Sequence, residues 1–127
     1  MCLLVNRLGT DDSLNTDGTI LFLEDIDEYL YSFERMLVHM KEAGMFENIK
    51  GLIFGELKDM KDQEVKFERN IDQIILDICG DLNVPILSNF PCGHGKFQST
   101  LPLSINTEID TKNNEMPVTL IDNAVEL

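Results

Sequence analysis

The chain has 127 residues, with 23 acidic side chains against 10 basic ones and a net charge of −13. That length suits one domain with a real core, and a hydrophobic content of 43% is too high for a disordered polypeptide. The acidity excludes a general nucleic-acid binder, which needs a basic stripe for phosphates, and disfavours docking on an anionic membrane.

Residues 1–18 differ from the rest. They carry the polar, turn-rich runs Asp11-Asp12-Ser13 and Asn15-Thr16-Asp17-Gly18 and read as a connecting segment or tail. They lack the n-region, h-region and cleavage site of a signal peptide. No apolar run approaches the roughly 18 residues of a transmembrane helix. Thr19-Ile20-Leu21-Phe22-Leu23 is a short run of strand formers, followed by Glu24 and Asp25. From residue 29 to 43 the period becomes helical, with Leu30, Phe33, Leu37 and Met40 on one face and Gly44 as a stop. Gly51-Leu52-Ile53-Phe54-Gly55 reads as a second buried strand, and residues 57–66 as a charged loop. Phe67, Ile71, Ile74, Ile75 and Ile78 mark a second amphipathic helix that stops near Gly80. Val84-Pro85-Ile86-Leu87-Ser88 is a third strand.

The order β-α-β-α-β predicts a small α/β layer with parallel strands, because helical crossovers join parallel neighbours. Residues 101–109 then alternate with period two, and 118–121 form another short strand. Lys112-Asn113-Asn114 lies between them as a turn, which predicts a C-terminal hairpin. Pro102 points to an edge or strand-start position.

Chemistry concentrates after the third strand, in Phe90-Pro91-Cys92-Gly93-His94-Gly95. Loops beyond the carboxyl ends of strands are the usual ligand face of an α/β sheet. Two glycines leave the His94 imidazole unobstructed and let the backbone turn sharply. Glu24, just past the first strand, falls at the same edge. A carboxylate on one ring nitrogen would set the tautomer and free the other nitrogen as a general base. A merely exposed or structural histidine is the simpler reading of the same residues. His39 reads as a surface residue of the first helix. Cys92 is a conceivable thiolate nucleophile, though a small packing residue explains it as well. Three cysteines (Cys2, Cys79, Cys92) without metal-ligand spacing argue against a disulfide framework and a zinc site, and for a reducing cytoplasm. No serine sits in a G-x-S-x-G elbow, and no phosphate-binding glycine loop occurs, so no cofactor is expected.

Several motifs in order resemble one family. Gly18-Thr19-Ile20-Leu21-Phe22-Leu23-Glu24-Asp25-Ile26 is similar to the "G-x-I-L-F-L-E-D" segment of the LD-carboxypeptidases, serine peptidases that include muramoyltetrapeptide carboxypeptidases and microcin C self-immunity peptidases. Tyr31-Ser32-Phe33-Glu34-Arg35-Met36-Leu37 resembles "Y-x-I-D-R-M-L", and Lys41-Glu42-Ala43-Gly44-Met45-Phe46 resembles "K-x-A-G-x-F". Phe90-Pro91-Cys92-Gly93-His94-Gly95, with Thr100-Leu101-Pro102-Leu103 after it, resembles "F-P-x-G-H-G … T-L-P-L". Departures are Leu30 where the family often has Pro, Ser104 where it often has Gly, and Gln98 for a common Asn.

The resemblance implies a Ser-Glu-His triad whose Glu is Glu24 and whose His is His94. It implies metal-free hydrolysis of the amide between an L-centre and a terminal D-amino acid, in cytoplasmic peptidoglycan recycling, with a murein peptide as substrate. It also implies that residues 19–127 are the family's C-terminal domain, a three-layer β/β/α swivelling-type fold. The nucleophile-bearing N-terminal domain is absent from these residues and becomes the expected partner, so the chain alone is expected to be inactive. An exposed apolar patch is expected where that domain docks. The family often forms homodimers, which leaves self-association as one partner to test. The alternative is a non-catalytic binding or dimerisation module that keeps the fold.

Overall fold

In the computed structural model, which describes residues 1–122, the elements run α1 (Cys2–Arg7), β1 (Ile20–Ile26), α2 (Leu30–Glu42), β2 (Gly51–Lys58), α3 (Ile71–Cys79), β3 (Ile86–Leu87), β4 (Thr107–Ile109) and β5 (Val118–Leu120). The final residues of the expected 19–127 domain, 123–127, lie outside the described residues. β1, β2 and β3 form a parallel sheet in that order, and β4 and β5 pair as an antiparallel hairpin. The β-α-β-α-β alternation of the sequence thus yields the parallel layer that its crossovers require. No helix among these residues is long and apolar enough to cross a membrane.

One face of the sheet carries the core. Leu21 and Leu23 of β1 and Leu52 and Phe54 of β2 pack with Phe33, Leu37 and Met40 of α2 and with Ile74, Ile75 and Ile78 of α3. The helical spacing in the sequence puts those α2 residues on one stripe, and Phe33 meets Phe54 edge-on at 6.4 Å between ring centroids. Burying each such side chain contributes about 1.5–3 kcal/mol. Alternation directs Gly51, Ile53 and Gly55 to the other face. There a Cβ on Gly51 would lie 2.7 Å from Ile109 of β4, so the hairpin approaches the sheet at that glycine.

Gly44 ends α2 as expected. Its φ is +81°, its N–H donates to Lys41 O, and the N–H of Met45 donates to Met40 O, both at 3.0 Å. This double closure satisfies carbonyls that the helix end would otherwise leave open. Gly80 ends α3 differently, with a right-handed φ of −66°.

Six local expectations are corrected. β1 runs on to Ile26 instead of ending at Leu23, so Glu24 lies within it, because its ladder with β2 continues past the bulge. The third strand, expected over 84–88, is strand only at Ile86–Leu87, the two residues that pair with β2. Residues 2–7, read as part of a loop or tail, form α1, because Met1, Leu4, Val5 and Leu8 recur at helical spacing and pack on the core. α3 begins at Ile71 rather than near Phe67, because Asn70 and Gln73 form a reciprocal capping box; Phe67 packs on the core from the segment before it. β2 continues past Gly55 to Lys58, where its ladder with β1 persists through Asp25↔Leu57 and Ile26↔Lys58. The alternating run 101–109 is strand only at Thr107–Ile109; Ser104 takes φ +62°, which breaks an extended chain.

Candidate active site

β1 and β2 pair in register from Ile20↔Gly51 to Leu23↔Phe54 and then slip, so that the next pair is Asp25↔Leu57. Two residues of β2, Gly55 and Glu56, therefore stand opposite the single Glu24. Phe54 and Leu57 both touch the helix-side core although they are an odd number of positions apart. Regular alternation forbids that, and a one-residue bulge allows it. Alternation already points Glu24 and Gly55 to the face that the helices leave free, and the bulge turns Glu56 there too.

The loop after β3 lies along this bulge. Phe90 N–H donates to Phe54 O at 3.0 Å and Glu56 N–H donates to Cys92 O at 3.1 Å, and Gly93 forms a parallel bridge with Glu56. Gly55 permits the approach, because a Cβ there would overlap the Cys92 carbonyl oxygen and lie 2.8 Å from the Phe22 ring. Gly93 adopts φ +145°, which an L side chain rarely takes. Gln98 Nε2 donates to Gly93 O at 2.6 Å and Lys58 Nζ donates to His94 O at 3.3 Å. The residue that carries the imidazole is thus tied down before and at its own position.

This arrangement brings His94 Nδ1 to 2.8 Å from Glu24 Oε2. The imidazole side chain is 47% exposed and the carboxylate 32%. An ionised carboxylate only accepts, so Nδ1 carries the proton of this bond and Nε2 is left as an acceptor. No hydrogen bond engages Nε2 among the described residues. Chemically the pair is an oriented base: Nε2 can take a proton, and Glu24 stabilises the imidazolium that results.

The other candidates stand apart from this pair. His39 is exposed on the last turn of α2, as its sequence position suggested. Cys92 contributes its backbone, and no hydrogen bond joins its sulfur to His94 among the described residues. Cys79 is fully buried, and burial pushes its thiol up to about 11. Among the described residues no three His, Cys, Asp or Glu side chains gather as a metal site. The sequence reading missed Gly55 and Glu56. Their only signal was a glycine and an acid closing an apolar strand.

The family model for the LD-carboxypeptidase C-terminal domain matches residues 1–109. The chain belongs to this family. It is 28% identical over 105 residues to the microcin C7 self-immunity protein MccF of Escherichia coli, covering 81% of this chain and 29% of that protein. It is 30% identical over 85 residues to the murein tetrapeptide carboxypeptidase of Pseudomonas aeruginosa, covering 67% of this chain and 27% of that one. The solved muramoyltetrapeptide carboxypeptidase of Oxalobacter formigenes superposes with a TM-score of 0.68 at 29% identity, over 76% of this chain and 34% of that chain. MccF itself superposes with a TM-score of 0.80 over 97% of this chain and 36% of its own, at 21% identity, a likeness of fold. The chain spans about a third of the length of the curated relatives it matches. The mixed α/β architecture, with its parallel three-stranded sheet and antiparallel hairpin, is therefore that of an LD-carboxypeptidase C-terminal domain.

Proposed function

We propose that these residues form the acid–base half of a serine LD-carboxypeptidase, with Glu24 and His94 as two members of a Ser-Glu-His triad. The observation that carries this reading is the 2.8 Å contact between His94 Nδ1 and Glu24 Oε2, with Nε2 uncommitted. An imidazole bonded to a carboxylate and half exposed supports catalysis over a non-catalytic module, for which a buried His94 held only by backbone would be the expected arrangement.

In this reading residues 1–18 connect to an N-terminal domain that supplies the serine and the oxyanion hole, and residues 19–127 take the family's swivelling β/β/α form. The serine hydroxyl attacks the carbonyl of the amide between an L-centre and a terminal D-amino acid, and Nε2 of His94 takes its proton. Glu24 holds the imidazolium. His94 then passes the proton to the leaving D-amino acid nitrogen as the amide C–N bond breaks. A water molecule, deprotonated by the same Nε2, frees the serine from the acyl group. Docking of the second domain excludes water from the half-exposed pair and strengthens its hydrogen bond. Phe97 and Leu103, 84% and 72% exposed beyond His94 in the chain, offer apolar surface for that contact. The substrate class follows from the family as a murein peptide, and peptidoglycan recycling in the cytoplasm is the setting. Without a nucleophile the chain alone releases nothing.

The test is mass-spectrometric detection of D-Ala released from a murein tetrapeptide, by the chain alone and mixed with an N-terminal domain of the family. Release only in the mixture, lost in His94→Ala, is the expected result. Release by the chain alone, or full release by the His94→Ala mixture, overturns the proposal.

A further inference from the structure

We propose that Glu56 is a positioning residue for His94, its carboxylate filling the space of the side chain that Gly95 lacks and so fixing the turn that presents the imidazole to Glu24. The inference rests on the reading of Glu24 and His94 as a working pair.

Three observations carry it. The bulge opposite Glu24 inserts one residue into β2, and that insertion turns Glu56 away from the helix-side core and toward the loop. The backbone of Glu56 then holds the loop directly, through its N–H on Cys92 O at 3.1 Å and its bridge to Gly93. A Cβ on Gly93 would lie 3.2 Å from Glu56 O, so the two chains touch there. Finally, a Cβ on Gly95 would overlap both carboxylate oxygens of Glu56. The carboxylate occupies that volume itself.

Glu56 Oε2 is buried and without a hydrogen-bond partner among the described residues. Burying an unpaired acceptor costs free energy, and such a group in a folded protein calls for an explanation. Packing supplies one. Glu56 lies under Gly95, and Lys58 from the same strand end holds the His94 carbonyl oxygen. Together they support the turn from below and fix where the ring can point. Among the described residues Glu24 bonds the imidazole, Glu56 lies against Gly95 and Lys58 reaches the His94 carbonyl oxygen. The role assigned to Glu56 is one of shape, so an uncharged side chain of equal size performs it.

The experiment is NMR of the full chain at about pH 8.5, where an ordinary imidazole is neutral, reading the tautomer of His94 from its ring nitrogen shifts. The wild type is expected to show the Nδ1–H form. Glu56→Ala is expected to lose that preference, and Glu56→Gln to keep it. In Glu56→Ala/Gly95→Ala the new Cβ enters the vacated volume and restores the Nδ1–H form. Amide shifts of α2 and β1 verify that each variant is folded. A tautomer unchanged in Glu56→Ala, but changed in Glu24→Ala, overturns the role of Glu56 and leaves the pair standing. Loss in Glu56→Gln equal to that in Glu56→Ala also overturns it, because charge rather than packing is then responsible. A tautomer unchanged in Glu24→Ala shows that the pair itself is not formed, and both readings fall.

Discussion

His94 Nδ1 and Glu24 Oε2 meet at 2.8 Å across a sequence separation of 70 residues. Glu24 stands at a bulge between two parallel strands, and His94 on a loop that the same bulge holds. With the nucleophile domain present, His94→Ala is expected to lower D-amino acid release by about 10⁶-fold, and Glu24→Gln by about 10⁴-fold. Thermal unfolding of the two variants is expected to match the wild type closely, because both side chains are partly exposed. Single-turnover kinetics read the first effect and a melting curve the second.

Gly55 lets the His94 loop lie against β2. In Gly55→Ala the new Cβ meets the Cys92 carbonyl oxygen, which is backbone and cannot rotate away. The expected cost is about 1–3 kcal/mol of stability, as for other overpacked sites. Urea unfolding measures it. An unchanged midpoint would show that the loop does not rest on the strand.

Asn70 caps α3 by accepting from Gln73 N–H at 2.9 Å, while the Gln73 side chain accepts from Asn70 N–H at 2.9 Å. Asn70→Ala removes one side of this exchange and is expected to destabilise by about 0.5–2 kcal/mol. Hydrogen exchange at the first turn of α3 locates the loss; protection equal to wild type there contradicts it.

The three thiols are expected to separate by reactivity. Cys2 is exposed, Cys92 half-buried and Cys79 fully buried. Burial raises the Cys79 thiol from 9.0 to about 11, so it stays protonated and unreactive in the folded chain. Peptide mapping after limited alkylation is expected to find Cys2 labelled first and Cys79 last. The sign of the linkage follows. The folded value lies above the unfolded one, so the contribution is fully present below the ordinary thiol range and is lost as pH rises toward about 11. Cys79→Ala is expected to flatten that alkaline decline in a stability–pH curve. A decline of equal slope in the variant assigns it to other groups.

Much of the layer was legible along the chain. Apolar runs at residues 19–23 and 51–55, and 3.6-periodicity at Leu30, Phe33, Leu37 and Met40, report directly which faces are buried, because one buried face imposes one period. Gly44 and the turn at 112–114 were legible because special backbone conformations restrict residue type. Glu24 and His94 were singled out as an acid just past one strand and a histidine between glycines in a loop after another, and through family resemblance, although Glu24 lies inside β1, whose ladder with β2 runs on to Ile26. Helix α1 was not, because its apolar residues gain stability only from the core that the rest of the chain builds. Nor was the strand limit in 101–109, where alternation says nothing of which residue takes φ > 0.

What the sequence by itself determined is therefore the order of elements from β1 onward, their buried faces and the family, all of which depend on residue type at local spacing. Tertiary structure alone decided that the register of β1 on β2 slips by one residue. That slip depends on how two strands and a loop pack at once. It sets Glu24 beside His94 and puts Glu56 beneath Gly95, distances that no local pattern encodes.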